Sequence, residues 1–234
     1  MSEVYLWEMV LILMSKSVNA LFEHYAKYHA SLVVVAEAKH HKQDPAHDFL
    51  HGLQVEKNAL RIAFFEGGDP EVVGPAGLMH DAVTYRKDDP RSRLAADESA
   101  AVVGVVLRDF FDFPSAKIPL VVQAVREHSY TRGLQPSSLE SAIVQDADRL
   151  EALGAIGVLR VASLSGYMGK PLYCLDDPFC DDRQPGGKGA QLDLFYSRFL
   201  KTPEKMHTVT GRALAEERVG FMHQFLDQLR GELA

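Results

Sequence analysis

Val72-Val73-Gly74-Pro75-Ala76-Gly77-Leu78-Met79 is a run of small and apolar residues that ends on the dipeptide His80-Asp81. A segment of that composition belongs in a core. A carboxylate at its end is costly to bury unless it is paired or bound to a cation. The dipeptide alone says little, since His-Asp pairs arise by chance. Its weight comes from two further stretches with matching donors. Upstream lies Asp44-Pro45-Ala46-His47-Asp48-Phe49-Leu50-His51, and downstream lies Gln145-Asp146-Ala147-Asp148-Arg149-Leu150. Taken in order they give His, His-Asp, Asp.

Each stretch is consistent with a ligand on a helix. His47 and His51 are four residues apart and share a helical face. Asp48 between them has an ordinary role as an acid in a first turn. Aspartate is a poor helix-interior residue, so Asp146 and Asp148 inside an apolar helical segment call for a reason. Arg149 accounts for one of them as an ion-pair partner, and the other is left to complete a metal shell. Two imidazoles and two carboxylates suit a divalent ion such as Mn, Fe, Co, Ni or Zn better than calcium. Water on such an ion becomes acidic enough to supply a nucleophile near neutral pH.

Around these stretches the chain reads as helical. Four pairs, Asp44-Pro45, Asp69-Pro70, Asp89-Pro90 and Thr202-Pro203, combine a capping side chain with proline at a first helical position. Ser137-x-x-Glu140 is a capping-box pattern, and a further start falls near Pro119. Apolar residues then recur at helical spacing. Examples are Val102, Val103, Val106, Leu107 and Phe110, and one long segment from about Leu139 through Ile143, Leu150, Leu153 and Ile156 to Leu159. Val33-Val34-Val35 is β-branched but lies in a helical context from Val18 to about His41, and no period-2 strand is found. The expected fold class is all-α. The stretch from Gly166 to Gly189, rich in Pro, Gly and Asp, is long enough to fold over a pocket as a lid.

Composition narrows the function. A net charge of −7 without a Lys/Arg cluster argues against a nucleic-acid backbone binder. Cys174 and Cys180 are too few for a disulfide framework, and the chain reads as cytoplasmic. Val10-Leu11-Ile12-Leu13-Met14 is apolar but too short for a membrane span, and no basic residue precedes it. It reads as an arm that packs on the domain or on a second subunit, which makes a homodimer one expectation.

His51, His80-Asp81 and Asp148 match, in order and type, the ligand signature of the HD-domain superfamily of metal-dependent phosphohydrolases. The resemblance extends through His47-Asp48-x-x-His51, Gly77-Leu78-Met79-His80-Asp81, Glu127-His128-Ser129 and the stretch from Asp146 to Gly157. It also takes in Asp177-Pro178-Phe179 and Met206-His207-Thr208. It is similar to one bacterial subfamily of stand-alone HD hydrolases, some of which act on nucleoside triphosphates. The resemblance implies an HD helical bundle over residues 44–234, with a core at about 44–165 and C-terminal helices at about 190–232. A helical arm at 1–43 precedes it. It implies His51, His80, Asp81 and Asp148 as ligands of one divalent ion (Mn, Mg, Fe, Co, Ni or Zn), with Asp146 and Arg149 orienting them from behind. Related sequences often carry arginine where this chain has Gln54, which leaves substrate preference open.

The expected activity is hydrolysis of a phosphate ester or anhydride, with a small nucleotide as substrate. Asp81, His128 and Asp48 are the candidates for proton handling. His47, Arg86, Lys87, Arg91 and His128 are the candidates for holding phosphate, and Arg160 is a further cation that either faces the site or pairs with an acid. Two other readings stay open. One is a nucleotide-binding regulatory HD module without turnover. The other is a di-iron HD oxygenase, which needs extra ligands such as His47 or His128.

Overall fold

Pro70–Met79 forms the helix at the centre of the fold, and all ten of its residues are buried. The computed structural model describes residues 16–39, 48–85, 89–110, 112–129, 132–186 and 189–234. Among them are α1 (Lys16–Lys39), α2 (Phe49–Glu66), α3 (Pro70–Met79), α4 (Ala95–Asp109) and α5 (Ile118–Glu127). Then follow α6 (Leu139–Leu150), α7 (Gly154–Met168), α8 (Asp193–Ser197) and α9 (Val209–Leu233). Short 3-10 turns join several of these helices, and no strand occurs among the described residues, so the fold is all-α. No helix there is long and apolar enough to cross a membrane. The Asp44-Pro45 pair, His47, Arg86, Lys87 and the apolar Val10–Met14 run lie outside the described residues.

A helix that is apolar on every side has to be surrounded. Helices α1, α2, α5 and α6 pack around α3, with α4 against α5 and α9 across α6 and α7. Gly77 allows one close approach. A Cβ there would lie 3.0 Å from the Glu56 Cα and 3.1 Å from its nitrogen, so the backbones of α2 and α3 meet at this point.

Helix α1 is bound to this core by more than apolar contact. Tyr25, Tyr28, Leu32 and Ala36 are buried, and two buried glutamates meet α1 from the core side. Glu56 accepts from the Tyr25 hydroxyl and from His29 Nε2 at 3.0 Å. Glu71 accepts from the Tyr28 hydroxyl at 3.0 Å, from Lys117 Nζ at 2.5 Å and from His24. Both carboxylates are buried and depend on these donors, so α1 is part of their solvation.

The Asp69-Pro70 start is as expected, and several others differ. Asp69 caps α3 through the Glu71 amide, with Pro70 in the first turn. Asp89-Pro90 opens only a 3-10 turn, Pro90–Arg93, and α4 follows at Ala95. Thr202-Pro203 also opens a 3-10 turn, and the C-terminal helix starts at the Thr208 cap instead. In the capping-box stretch Ser138, rather than Ser137, accepts from the Ser141 amide, while Ser137 binds the Glu127 carboxylate. The long helix expected from Leu139 is two. It ends at Leu150 and restarts at Gly154, whose φ of +68° is one that other residues rarely adopt.

The Pro/Gly/Asp loop after α7 is ordered by its own acids. The Asp177 carboxylate accepts the amides of Asp181, Asp182 and Arg183, and Arg183 forms a two-pronged pair with buried Asp193. The loop meets the C-terminal part of α9, where Arg230 pairs with Asp181 and stacks over Phe179.

Candidate metal centre

Four side chains from three helices converge. His51 lies in the first turn of α2, His80 and Asp81 follow the last turn of α3, and Asp148 lies in the last turn of α6. His51 Nε2 and His80 Nε2 are 3.2 Å apart. Asp81 Oδ2 is 3.4 Å from His80 Nε2 and 4.0 Å from His51 Nε2. Asp148 Oδ1 is 3.4 Å from His51 Nε2 and 3.8 Å from His80 Nε2. The two histidines are 3% and 0% exposed, whereas Asp81 and Asp148 are 15% and 24% exposed. The site is therefore walled by imidazole and open along its carboxylates.

The ring orientations have local causes. His80 Nδ1 donates to the Gly77 carbonyl at 2.8 Å, one of the carbonyls that a helix end leaves unpaired. That bond fixes the tautomer and turns Nε2 toward His51. His128 repeats the device at the end of α5. Its Nδ1 donates to the Val125 carbonyl at 2.6 Å, and its Nε2 lies 3.5 Å from Asp81 Oδ1. Asp81 thus offers one oxygen to the His51–His80 pair and the other to His128.

Taken as side chains alone, the cluster holds protons in an uneven way. Burial drives the His51 imidazole down to about 3, and the charges of Arg160 and His80 act in the same direction, although Asp148 opposes them. Burial also disfavours charge on His80, but Asp81 and Asp148 beside it raise its value to about 9. Asp148 is held well below the usual carboxylate range, because the neighbouring imidazoles outweigh its burial.

This donor set fits a divalent cation. Metal–ligand bonds of about 2.0–2.2 Å put neighbouring donor atoms roughly 3.0–3.5 Å apart, close to the separations found here. Two ring nitrogens facing each other at 3.2 Å need a proton or a cation between them. An ionised Asp148 completes a set with borderline-hard character.

The other expected site residues sit as follows. Asp48 caps α2, accepting from the His51 amide at 3.0 Å, so it fixes the turn that carries His51. Asp146 is fully buried and accepts the His207 amide, the Thr208 amide and the Thr208 hydroxyl, the last two at 2.8 Å. Its partners belong to the start of α9, and Arg149 Nη1 adds a contact at 3.3 Å. Arg149 also donates to the Lys205 carbonyl and to Gln145 Oε1. Arg91 is exposed, paired with Asp89 at 2.8 Å and stacked over Tyr85, while Gln54 is exposed on α2. Arg160 donates to the Glu151 carbonyl at 3.1 Å and lies near enough to act on His51. His47, Arg86 and Lys87 fall outside the described residues.

The comparisons agree with this geometry. Residues 49–153, which contain all four converging side chains, match the model of the HD domain. The Bacillus subtilis protein YpgQ is 31% identical over 195 residues, covering 82% of this chain and 86% of YpgQ. A crystal structure of YpgQ in complex with ADP superposes with a TM-score of 0.67 at 27% identity, covering 89% of this chain and 96% of that one. An HD-superfamily hydrolase from Bacillus thuringiensis gives a TM-score of 0.67 at 26% identity, covering 88% and 97%. With this likeness spread over most of both chains, the protein belongs to the HD-domain superfamily.

Proposed function

We propose that the protein is a divalent-metal-dependent phosphohydrolase acting on a small nucleotide. The observation that carries the reading is the convergence of His51 and His80 Nε2, 3.2 Å apart, with oxygens of Asp81 and Asp148 at 3.4 Å. His51, His80, Asp81 and Asp148 would hold the ion. When bound, a divalent ion supplies Lewis-acid charge toward a phosphoryl oxygen and raises the acidity of water.

The chain's own residues supply the rest. Asp81 Oδ1, facing His128 Nε2 at 3.5 Å, accepts and passes on the proton that a nucleophilic water gives up. His128 is 7% exposed and keeps Nε2 toward that carboxylate because Nδ1 is committed to Val125. Arg160, whose charge acts on His51, is the candidate to offset negative charge that phosphate oxygens gain during transfer. The open carboxylate side gives a substrate its approach. The nucleotide assignment is supported by the YpgQ structure with ADP.

The test is turnover of a nucleotide panel by the metal-loaded protein and by Asp81→Ala, with phosphate and pyrophosphate assayed separately. Metal-dependent release of either product, lost in the variant, supports the proposal. Nucleotide binding without turnover under any divalent ion contradicts it and leaves a binding module.

A further inference from the structure

Gln145 sits on α6, three residues before Asp148, and is 1% exposed. Its Nε2 donates to the carbonyls of Glu127 at 2.8 Å and Leu134 at 3.1 Å. Its Oε1 accepts from Arg149 Nη2 at 2.9 Å and from His207 Nε2 at 2.9 Å. A primary amide has two N–H donors and two acceptor lone pairs, and all four are used. The partners also fix which end is nitrogen, because the opposite orientation would set an oxygen against two carbonyls and an NH2 against a guanidinium.

The two carbonyls flank the segment that carries His128. That segment leaves α5 at Glu127 and runs over exposed Gly133 and Leu134 before α6 begins. A second clasp closes it, since the Glu127 carboxylate accepts both the amide and the hydroxyl of Ser137 at 3.0 Å. Among the described residues of that stretch no apolar side chain is buried, so hydrogen bonds set their position.

We infer that Gln145 is a positioning residue: it locks the His128 segment to the helix carrying Asp148, so that His128 faces Asp81 across the metal centre. The inference rests on the hydrolase reading only where turnover is the readout.

The test uses the full chain with Gln145→Leu, His128→Ala and the double variant. Gln145→Leu is expected to bind as much metal as the wild type. Its kcat is expected to fall about tenfold to a hundredfold, the size of effect that a small misplacement produces, with KM little changed. In the His128→Ala background the same change should cost nothing further, since residues acting through one another are not additive. Independent, multiplying losses would overturn the inference, as would full activity in Gln145→Leu. Amide hydrogen exchange supplies a readout free of activity. Exchange should rise at residues 128, 129 and 132–134 in Gln145→Leu while α2 and α3 stay protected, and unchanged exchange would overturn the inference. Should Gln145→Leu not fold, Gln145→Asn, which keeps the amide one carbon shorter, is expected to show the same exchange pattern in milder form. If the wild type turns over no substrate, the hydrolase proposal fails, and exchange alone still decides the role of Gln145.

Discussion

The Nε2 atoms of His51 and His80 face each other at 3.2 Å from the start of one helix and the end of another. Two lone pairs there would repel and two protons would collide, so the pair needs either one shared proton or a cation between them. With oxygens of Asp81 and Asp148 each at 3.4 Å from one of the rings, a bound cation would satisfy all four groups at once.

Divalent ions should therefore stabilise the fold. A ligand bound by the native state alone adds about 2.7 kcal/mol at a hundredfold excess over its Kd. Thermal melts with Mn or Ni should show a rise in Tm for the wild type that Asp148→Ala loses. An equal rise in both would place the ion elsewhere.

Asp146 tests the separation between ligand and scaffold. Its carboxylate is fully buried and holds the His207 and Thr208 amides at the start of α9, 61 and 62 residues away in sequence. Asp146→Ala leaves those amides unpaired, at a cost of about 2–4 kcal/mol by urea denaturation. Metal content per chain should be unchanged once the variant is folded. Loss of metal with full stability would show that Asp146 is a ligand.

That pair also shows where the sequence was legible and where it was not. Local signals placed α3, because Asp69-Pro70 carries its cap and its first-turn proline within two residues. Thr202-Pro203 has the same local form, yet the C-terminal helix waits for Thr208, which a distant carboxylate holds in place. No spacing rule contains a partner 62 residues away. The all-α class followed from periodicity, and the resemblance to HD domains named the four residues that the structure brings together. The burial of Glu56 and Glu71 was invisible, since each depends on tyrosine and histidine from α1. Gln145 carried no local signal at all, because its four partners come from three separate stretches.

Glu71 should make stability fall in acid. Burial alone would raise its carboxyl, but Lys117, His24 and Tyr28 together hold it below the usual carboxylate value. Asp69 also faces Lys117, at 2.6 Å. A carboxyl lowered by folding adds stability that is full above the unfolded value of about 4.3 and is lost as pH falls through the lower folded value. Urea midpoints measured from pH 6 downward should drop for the wild type, and Glu71→Gln should show a lower midpoint at pH 6 and a shallower fall. Parallel curves would show that Glu71 contributes nothing to the acid limb.

Gly77→Ala probes the approach of α2 to α3. The added methyl would stand 3.0 Å from the Glu56 Cα, a backbone atom that cannot swing aside. Overpacking of this kind costs about 1–3 kcal/mol. Because the Gly77 carbonyl also anchors His80 Nδ1, metal affinity should weaken in parallel. Unchanged stability and affinity would mean that the two helices part without effect on the site.

The most direct measurement is metal titration of turnover. Protein stripped with chelator is given a divalent ion in steps while phosphate or pyrophosphate release from a nucleotide is followed. Activity is predicted to be absent at the start, to rise with added ion and to saturate at one ion per chain, with Asp148→Ala inactive throughout. Turnover that survives chelation, or none at any metal level while the nucleotide still binds, would contradict the assignment of His51, His80, Asp81 and Asp148 as the centre of a phosphohydrolase.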